Sequence, residues 1–222
     1  MGFNWFKKKY KDTHPQFWKD YVDRFDSISK AAISDTRFIA FDTETTGFNK
    51  IKDRILSIGA VSIKHKTIEV NNTLELFVYQ KVFNPDSVKI HGILKTGHVQ
   101  KHTEMEAIEY FLNYIQNTIL IAHHSAFDYG MINQMLSRNG LGTLKNECID
   151  TGVLFAKSKH IIYRDTLKKH YTLDDLCTEL NVPIVDRHTA TGDALLTAMV
   201  YLKIIARLDK RQNLNWSYLL NT

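Results

Sequence analysis

A chain of 222 residues that is 44% hydrophobic is long enough to bury one substantial core, so one domain is the default expectation. Its net charge of +5 is too small to identify a polyanionic partner by itself, although basic clusters such as Lys157/Lys159 and Arg164/Lys168/Lys169 would suit one. No run of about 18 apolar residues occurs, which argues against a membrane-spanning helix and a membrane role, and the basic start MGFNWFKKKYKD lacks the apolar core of a secretory signal.

In chain order, residues 1–34 read as a helical extension. Trp5, Phe6, Tyr10, Phe17, Trp18, Tyr21, Val22 and Phe25 recur at roughly helical spacing among Lys and Asp, with a break at Pro15. Such a helix would lie on the domain and cover apolar surface. Strands are predicted over Arg37–Asp42, Arg54–Ile63 and Thr67–Gln80, the last interrupted near Asn71-Asn72. A loop and short helix fill Asn84–Val99, and Thr103-Glu-Met-Glu106 is a capping box opening a helix through Phe111, Leu112 and Ile115. A strand over Thr118–Ala122 runs into His123-His124-Ser125-Ala126-Phe127-Asp128, after which a helix continues to about Arg138 and stops at Asn139-Gly140. A short strand at Glu147–Ile149 precedes a helix over Thr151–Ala156, and a capped helix spans Thr172–Leu180. The final long helix is expected to begin near Thr191 as N-cap, with Ala194, Leu195, Ala198, Met199, Leu202 and Ile205 on its core side. Strands first, then strand–helix alternation, predict an α/β sandwich with a mixed sheet flanked by helices. The two cysteines, Cys148 and Cys177, have neither CxxC nor zinc-type spacing, so buried thiols in a reducing, cytoplasmic setting are expected.

The first strand ends in an unusual way: FIAF runs directly into Asp42-Thr-Glu44-Thr-Thr-Gly47. Residues i and i+2 of a strand share a face, so Asp42 and Glu44 project together while Thr43 points the other way. Two neighbouring carboxylates beside a core repel and lose hydration, and a divalent cation resolves both problems. Hard oxygen ligands without Cys or His suit Mg²⁺ or Mn²⁺ better than zinc. Asp128 stands where a strand hands over to a helix, the place where open α/β sheets put ligands. Asp193 lies in the first turn of the final helix and His188 in the loop before it, so the two converge only if that loop folds back.

Taken together, D-x-E-T-T-G (Asp42, Glu44), A-H-x-x-x-F-D (Asp128) and H-x4-D (His188, Asp193) resemble the three motifs of the DnaQ-like DEDDh 3′→5′ exonucleases, a family that includes the epsilon subunit of DNA polymerase III. The likeness extends to DRILSIGAVSI and KIHGI, and covers residues 36–206 or so. The sister group with a catalytic tyrosine would place Tyr at 189, where this chain has Thr189. The resemblance implies an RNase H-like fold over residues 35–209, with residues 210–222 as a tail. It also implies two Mg²⁺ (or Mn²⁺) ions held by Asp42, Glu44, Asp128 and Asp193, with His188 as general base. Thr45, Thr46, His91 and Phe127 match positions that hold the terminal nucleotide. One departure is His124, where the family usually has Asn.

The implied reaction is release of nucleoside monophosphates from single-stranded 3′ ends, DNA first and RNA as the alternative. A non-catalytic module of this fold, associated with a polymerase or acting as a scaffold, would be expected to lack one of the five acid and histidine positions, and all five are present. A DNA polymerase or sliding clamp is the candidate protein partner, and Gln212-Asn-Leu-Asn-Trp216 is faintly similar to a clamp-binding peptide.

Overall fold

The computed structural model describes residues 9–26, 31–82, 84–93, 99–159, 170–210 and 214–220. Its sheet is built from β1 (Phe38–Thr45), β2 (Ile55–Lys64), β3 (Thr67–Val78), β4 (Lys101–His102), β5 (Ile119–Ala122) and β6 (Cys148–Asp150), in the spatial order β4-β3-β2-β1-β5-β6. β1, β2 and β3 pair antiparallel, whereas β1–β5, β5–β6 and β3–β4 are parallel, the mixed sheet expected. The interruption predicted in the third strand is a bulge: Val61 pairs Thr73, and the next residue, Ser62, pairs Glu69.

β1 is apolar without alternation because both faces are covered. Ile39 and Phe41 pack into one cluster with residues of α1 (Gln16–Asp23), α3 (Glu104–Ile115) and α4 (Ala126–Arg138). Phe38 and Ala40 pack into the other, with α5 (Thr151–Ser158), α6 (Leu173–Leu180) and α7 (Ala190–Lys210). Helix boundaries follow local chemistry. Thr103–Glu106 and Thr172–Asp175 both form reciprocal capping boxes. Asn84 caps α2 (Pro85–His91), and Asp150 caps α5 through the Gly152 and Val153 amides.

Two sequence expectations for α7 need correction. Its cap is Thr189 rather than Thr191: the Gly192 amide donates to Thr189 Oγ1 at 3.1 Å, while the Thr191 hydroxyl donates instead to Glu75 of β3. The core side is also broader than the predicted stripe, since Leu196, Thr197, Val200, Tyr201 and Ile204 are buried and Leu195, Met199 and Leu202 only half-buried. The reason is position. α7 lies between the sheet and α5/α6, so it is covered on more than one side.

The N-terminal helix is part of the core rather than an appendage. Trp18, Tyr21 and Val22 are 2–4% exposed, and the Tyr21 hydroxyl donates to Asn146 at 2.6 Å while accepting the Lys145 amide. The tail is packed as well. α8 (Trp216–Leu220) buries Leu219, and Trp216 donates its indole N–H to the Ala31 carbonyl. Gln212 and Asn213 of the candidate clamp peptide lie outside the described residues, as do Arg164, Lys168 and Lys169. Cys148 and Cys177 are free thiols, and no described helix is long and apolar enough to cross a membrane.

Candidate active site

The alternation that divides β1 between two cores also builds the site at its carboxyl end. Continuing the Phe38–Ala40 face, Asp42 and Glu44 lie on the side covered by α7, which brings Asp193 in its first turn. One ligand oxygen from each of Asp42, Glu44 and Asp193 comes within 4.8 Å of the other two. Thr43 continues the opposite face and meets α4: its amide and hydroxyl both donate to Asp128 Oδ1, at 3.0 and 2.6 Å. Asp128 is thus fixed from behind the strand end, which explains why it stands beside the three-carboxylate group instead of within it.

α7 can deliver Asp193 because β2 yields space for it. Gly59 pairs Asp42 across the strands, and a Cβ there would fall 2.2 Å from the Ala190 carbonyl carbon and the Thr191 nitrogen. Backbone therefore rests on backbone at the start of α7, one strand away from the carboxylates.

The electrostatics are those of crowded, desolvated acids. Desolvation, then the charges of Asp128, Asp193 and Glu44, pushes Asp42 well above the ordinary carboxylate range. Glu44 is raised to about 7 by desolvation and the Asp193 and Asp128 charges. Asp128 is raised to about 7 by burial, against the two hydrogen bonds from Thr43. Asp193 Oδ1 is buried with no hydrogen-bond partner among the described residues. A set of converging hard oxygens with one unpartnered lone-pair bearer fits a divalent cation such as Mg²⁺ or Mn²⁺.

The remaining sequence candidates divide. His188 is exposed, sits on left-handed backbone (φ 64°), and forms no hydrogen bond or ion pair among the described residues. His91 is buried at the end of α2 and lines a cleft of about 290 Å³ with Glu75, Phe77, Thr189 and Ala190. Its Nδ1 accepts the Ile93 amide at 3.0 Å, and burial holds its pKa below the usual histidine range. With Nδ1 accepting, the neutral ring carries its proton on Nε2, which is buried and faces the Thr45 backbone. Thr45 donates its hydroxyl to the Gly47 carbonyl at 2.8 Å. Thr46 is 0% exposed, and its hydroxyl joins Asp53 to the Arg54 amide. That side chain builds the loop after β1.

Sequence reasoning missed two residues here. Arg187, next to His188, donates to Asp193 Oδ2 at 2.5 Å, and only the folded loop reveals it. Phe48 is 84% exposed yet packs against Phe127, with ring centroids 5.9 Å apart. Its loop is rigidly built, because Asp53 accepts the Asn49 amide and Lys50 donates to the Ala126 carbonyl at 2.6 Å. An aromatic immediately after the Thr-Thr-Gly turn was the available signal. The departure at His124 places its ring 4.2 Å from that of His123, again on left-handed backbone (φ 55°).

Comparison with known proteins agrees with this geometry. The profile of the RNase T family, described as an exonuclease, matches residues 39–201. The epsilon subunit of DNA polymerase III from Buchnera aphidicola is 34% identical over 188 residues, covering 78% of this chain and 74% of that protein. A PolC-type DNA polymerase III from Caldanaerobacter subterraneus is also 34% identical, but its match takes in 78% of this chain and only 12% of the polymerase. Among solved structures, Escherichia coli exonuclease I in complex with an oligonucleotide shares the fold, with a TM-score of 0.65 at 14% identity over 80% of this chain and 43% of that one. With the profile spanning all three motifs and the carboxylates converging at the end of β1, the chain belongs to the RNase T exonuclease family.

Proposed function

We propose that this protein is a divalent-metal-dependent 3′→5′ exonuclease that hydrolyses the terminal phosphodiester of single-stranded DNA and releases nucleoside monophosphates. The observation that carries this reading is the convergence of Asp42, Glu44 and Asp193 beside Asp128, inside a chain of the exonuclease family. These four carboxylates would hold two Mg²⁺ or Mn²⁺ ions. Bound there, the ions supply an acidified water and charge neutralisation at the phosphoryl group.

The chain's own groups do the rest. His188, exposed beside the cluster in sequence and unencumbered by described partners, takes the proton of the attacking water. His91 offers its Nε2–H to the terminal nucleotide, and the Phe48–Phe127 pair offers a ring face to a base, a contact indifferent to base identity. Thr45 lies at the edge of the same turn. Replicative polymerases are the candidate partners, because relatives of the chain are a polymerase III subunit and a polymerase III chain. A cytoplasmic, proofreading or repair role follows from that association.

The decisive experiment uses a 5′-labelled single-stranded DNA oligomer, its RNA counterpart, and Mg²⁺ with or without EDTA. The reading predicts a descending ladder on DNA that vanishes with EDTA and in Asp42→Ala. Faster cutting of RNA, or cleavage that persists in Asp42→Ala, would contradict it.

A further inference from the structure

Arg187 spans two helices at the rim of the carboxylate site. Its Nε donates to Asp174 of α6 at 2.6 Å, and a terminal nitrogen donates to Asp193 Oδ2 of α7 at 2.5 Å. The arginine and Asp193 side chains are 21% and 9% exposed, while Asp174 is 55% exposed, so the inner contact is sheltered and the outer one wet. The loop holds this pose by force. Asp186 and His188, which flank Arg187, both have positive φ (51° and 64°), and Gly192 approaches the Asp186 carbonyl so closely that a Cβ would lie 2.0 Å from it.

Asp193 divides its two oxygens, Oδ2 to the guanidinium and Oδ1 buried without a partner among the described residues. A guanidinium stays charged at any working pH, so it is a permanent cation within reach of the acids.

We infer that Arg187 is a resident counter-cation of the carboxylate site, which competes with divalent metal for Asp193 and which Asp174 partly draws away. The inference rests on the metal-site reading given above. In the metal-free protein Arg187 balances the charge of Asp193. With metal present, its charge lowers the affinity for the divalent cation, because like charges near one carboxylate oppose each other. Asp174 moderates the effect by holding the Nε side of the fork. Arg187 is thus a positioning residue with an electrostatic sign, not a catalytic one.

The test is calorimetric titration of the full chain with Mn²⁺ alone, together with melting temperatures in its presence and absence. Arg187→Met should bind Mn²⁺ roughly ten-fold more tightly, the scale of outer-sphere effects on metal sites, while its metal-free form melts lower and is rescued by Mn²⁺. Asp174→Ala should move affinity the other way, to roughly three-fold weaker binding, since the guanidinium is then given wholly to Asp193. Arg187→Lys, which keeps charge without the fork, should fall between wild type and Arg187→Met, and serves if the Met variant does not fold. Weaker or unchanged Mn²⁺ binding in Arg187→Met, or shifts of the same sign in both Arg187→Met and Asp174→Ala, would overturn the inference while leaving the metal site standing. A wild-type chain that binds no Mn²⁺ would sink the metal reading and this inference with it.

Discussion

Replacing Gly59 by alanine tests how the site is assembled without touching any charged group. Gly59 is the cross-strand partner of Asp42, and its missing Cβ is the space in which α7 begins. A methyl group there would meet the Ala190 carbonyl carbon and the Thr191 nitrogen at 2.2 Å, where ordinary contact starts at 3.4 Å. The obstacle is helix backbone on one side and sheet backbone on the other, so no side chain can swing away. The start of α7 must retreat by about 1 Å, taking Asp193, three residues further on, with it. Overpacking of this kind costs about 1–3 kcal/mol of stability. A misplacement of about 1 Å at a reacting centre costs roughly 10²-fold in rate. Gly140→Ala is the matched control: it strains a positive φ (72°) at the far end of α4, where a Cβ would meet nothing within 4 Å. Melting temperature, Mn²⁺ affinity by calorimetry and single-turnover cleavage of a DNA oligomer should be measured for both variants. Both should melt lower than wild type, but only Gly59→Ala should lose affinity and about two decades of rate. A folded Gly59→Ala variant that cuts and binds Mn²⁺ like wild type would refute the claim that this backbone contact sets the position of Asp193.

Three further outcomes are expected. His188→Ala should lower turnover by roughly 10²–10⁴-fold with Mn²⁺ affinity little changed, and loss of metal binding instead would show the role to be misassigned. In the metal-free protein, Glu44 titrates at about 7 rather than the ordinary 4.5, so the folded state holds more protons than the unfolded one across that window and stability falls as pH rises through it. Thermal melts of wild type and Glu44→Gln from pH 4.5 to 7 should therefore diverge, with wild type losing more, and saturating Mg²⁺ should close the gap; parallel curves would contradict the desolvated cluster. Trp18→Ala should cost about 3–5 kcal/mol, because the ring is 2% exposed and also abuts Gly142. An unchanged melting temperature would mean that α1 is not part of the core.

How much of this could be read from the chain depended on the range of the interaction. Strands, caps and the β1 carboxylate pair are local: period-2 alternation places Asp42 and Glu44 on one face, and Thr103 and Thr172 each carry their acid three residues on. The cap of α7 was misplaced by two residues because the Thr189 and Thr191 hydroxyls are equally good acceptors for a first-turn amide, and Glu75, far away in sequence, claims the second. The bond from the Thr46 hydroxyl to Asp53 across the loop is of the same non-local kind. Arg187 was invisible beforehand, as its partners lie 13 and 6 residues away on separate helices and define no spacing pattern. The separation of Asp128 from the other three acids is likewise a matter of sheet faces. Thr43 draws it to the back of the strand end, where no motif spacing can place it.

The most direct measurement of the central claim is anomalous scattering from crystals soaked in Mn²⁺. The account predicts density for a cation in contact with Asp42, Glu44 and the free Oδ1 of Asp193, on the side of β1 that α7 covers. An ordered carboxylate group with no anomalous peak among those side chains, at Mn²⁺ concentrations that support cleavage in solution, would contradict it.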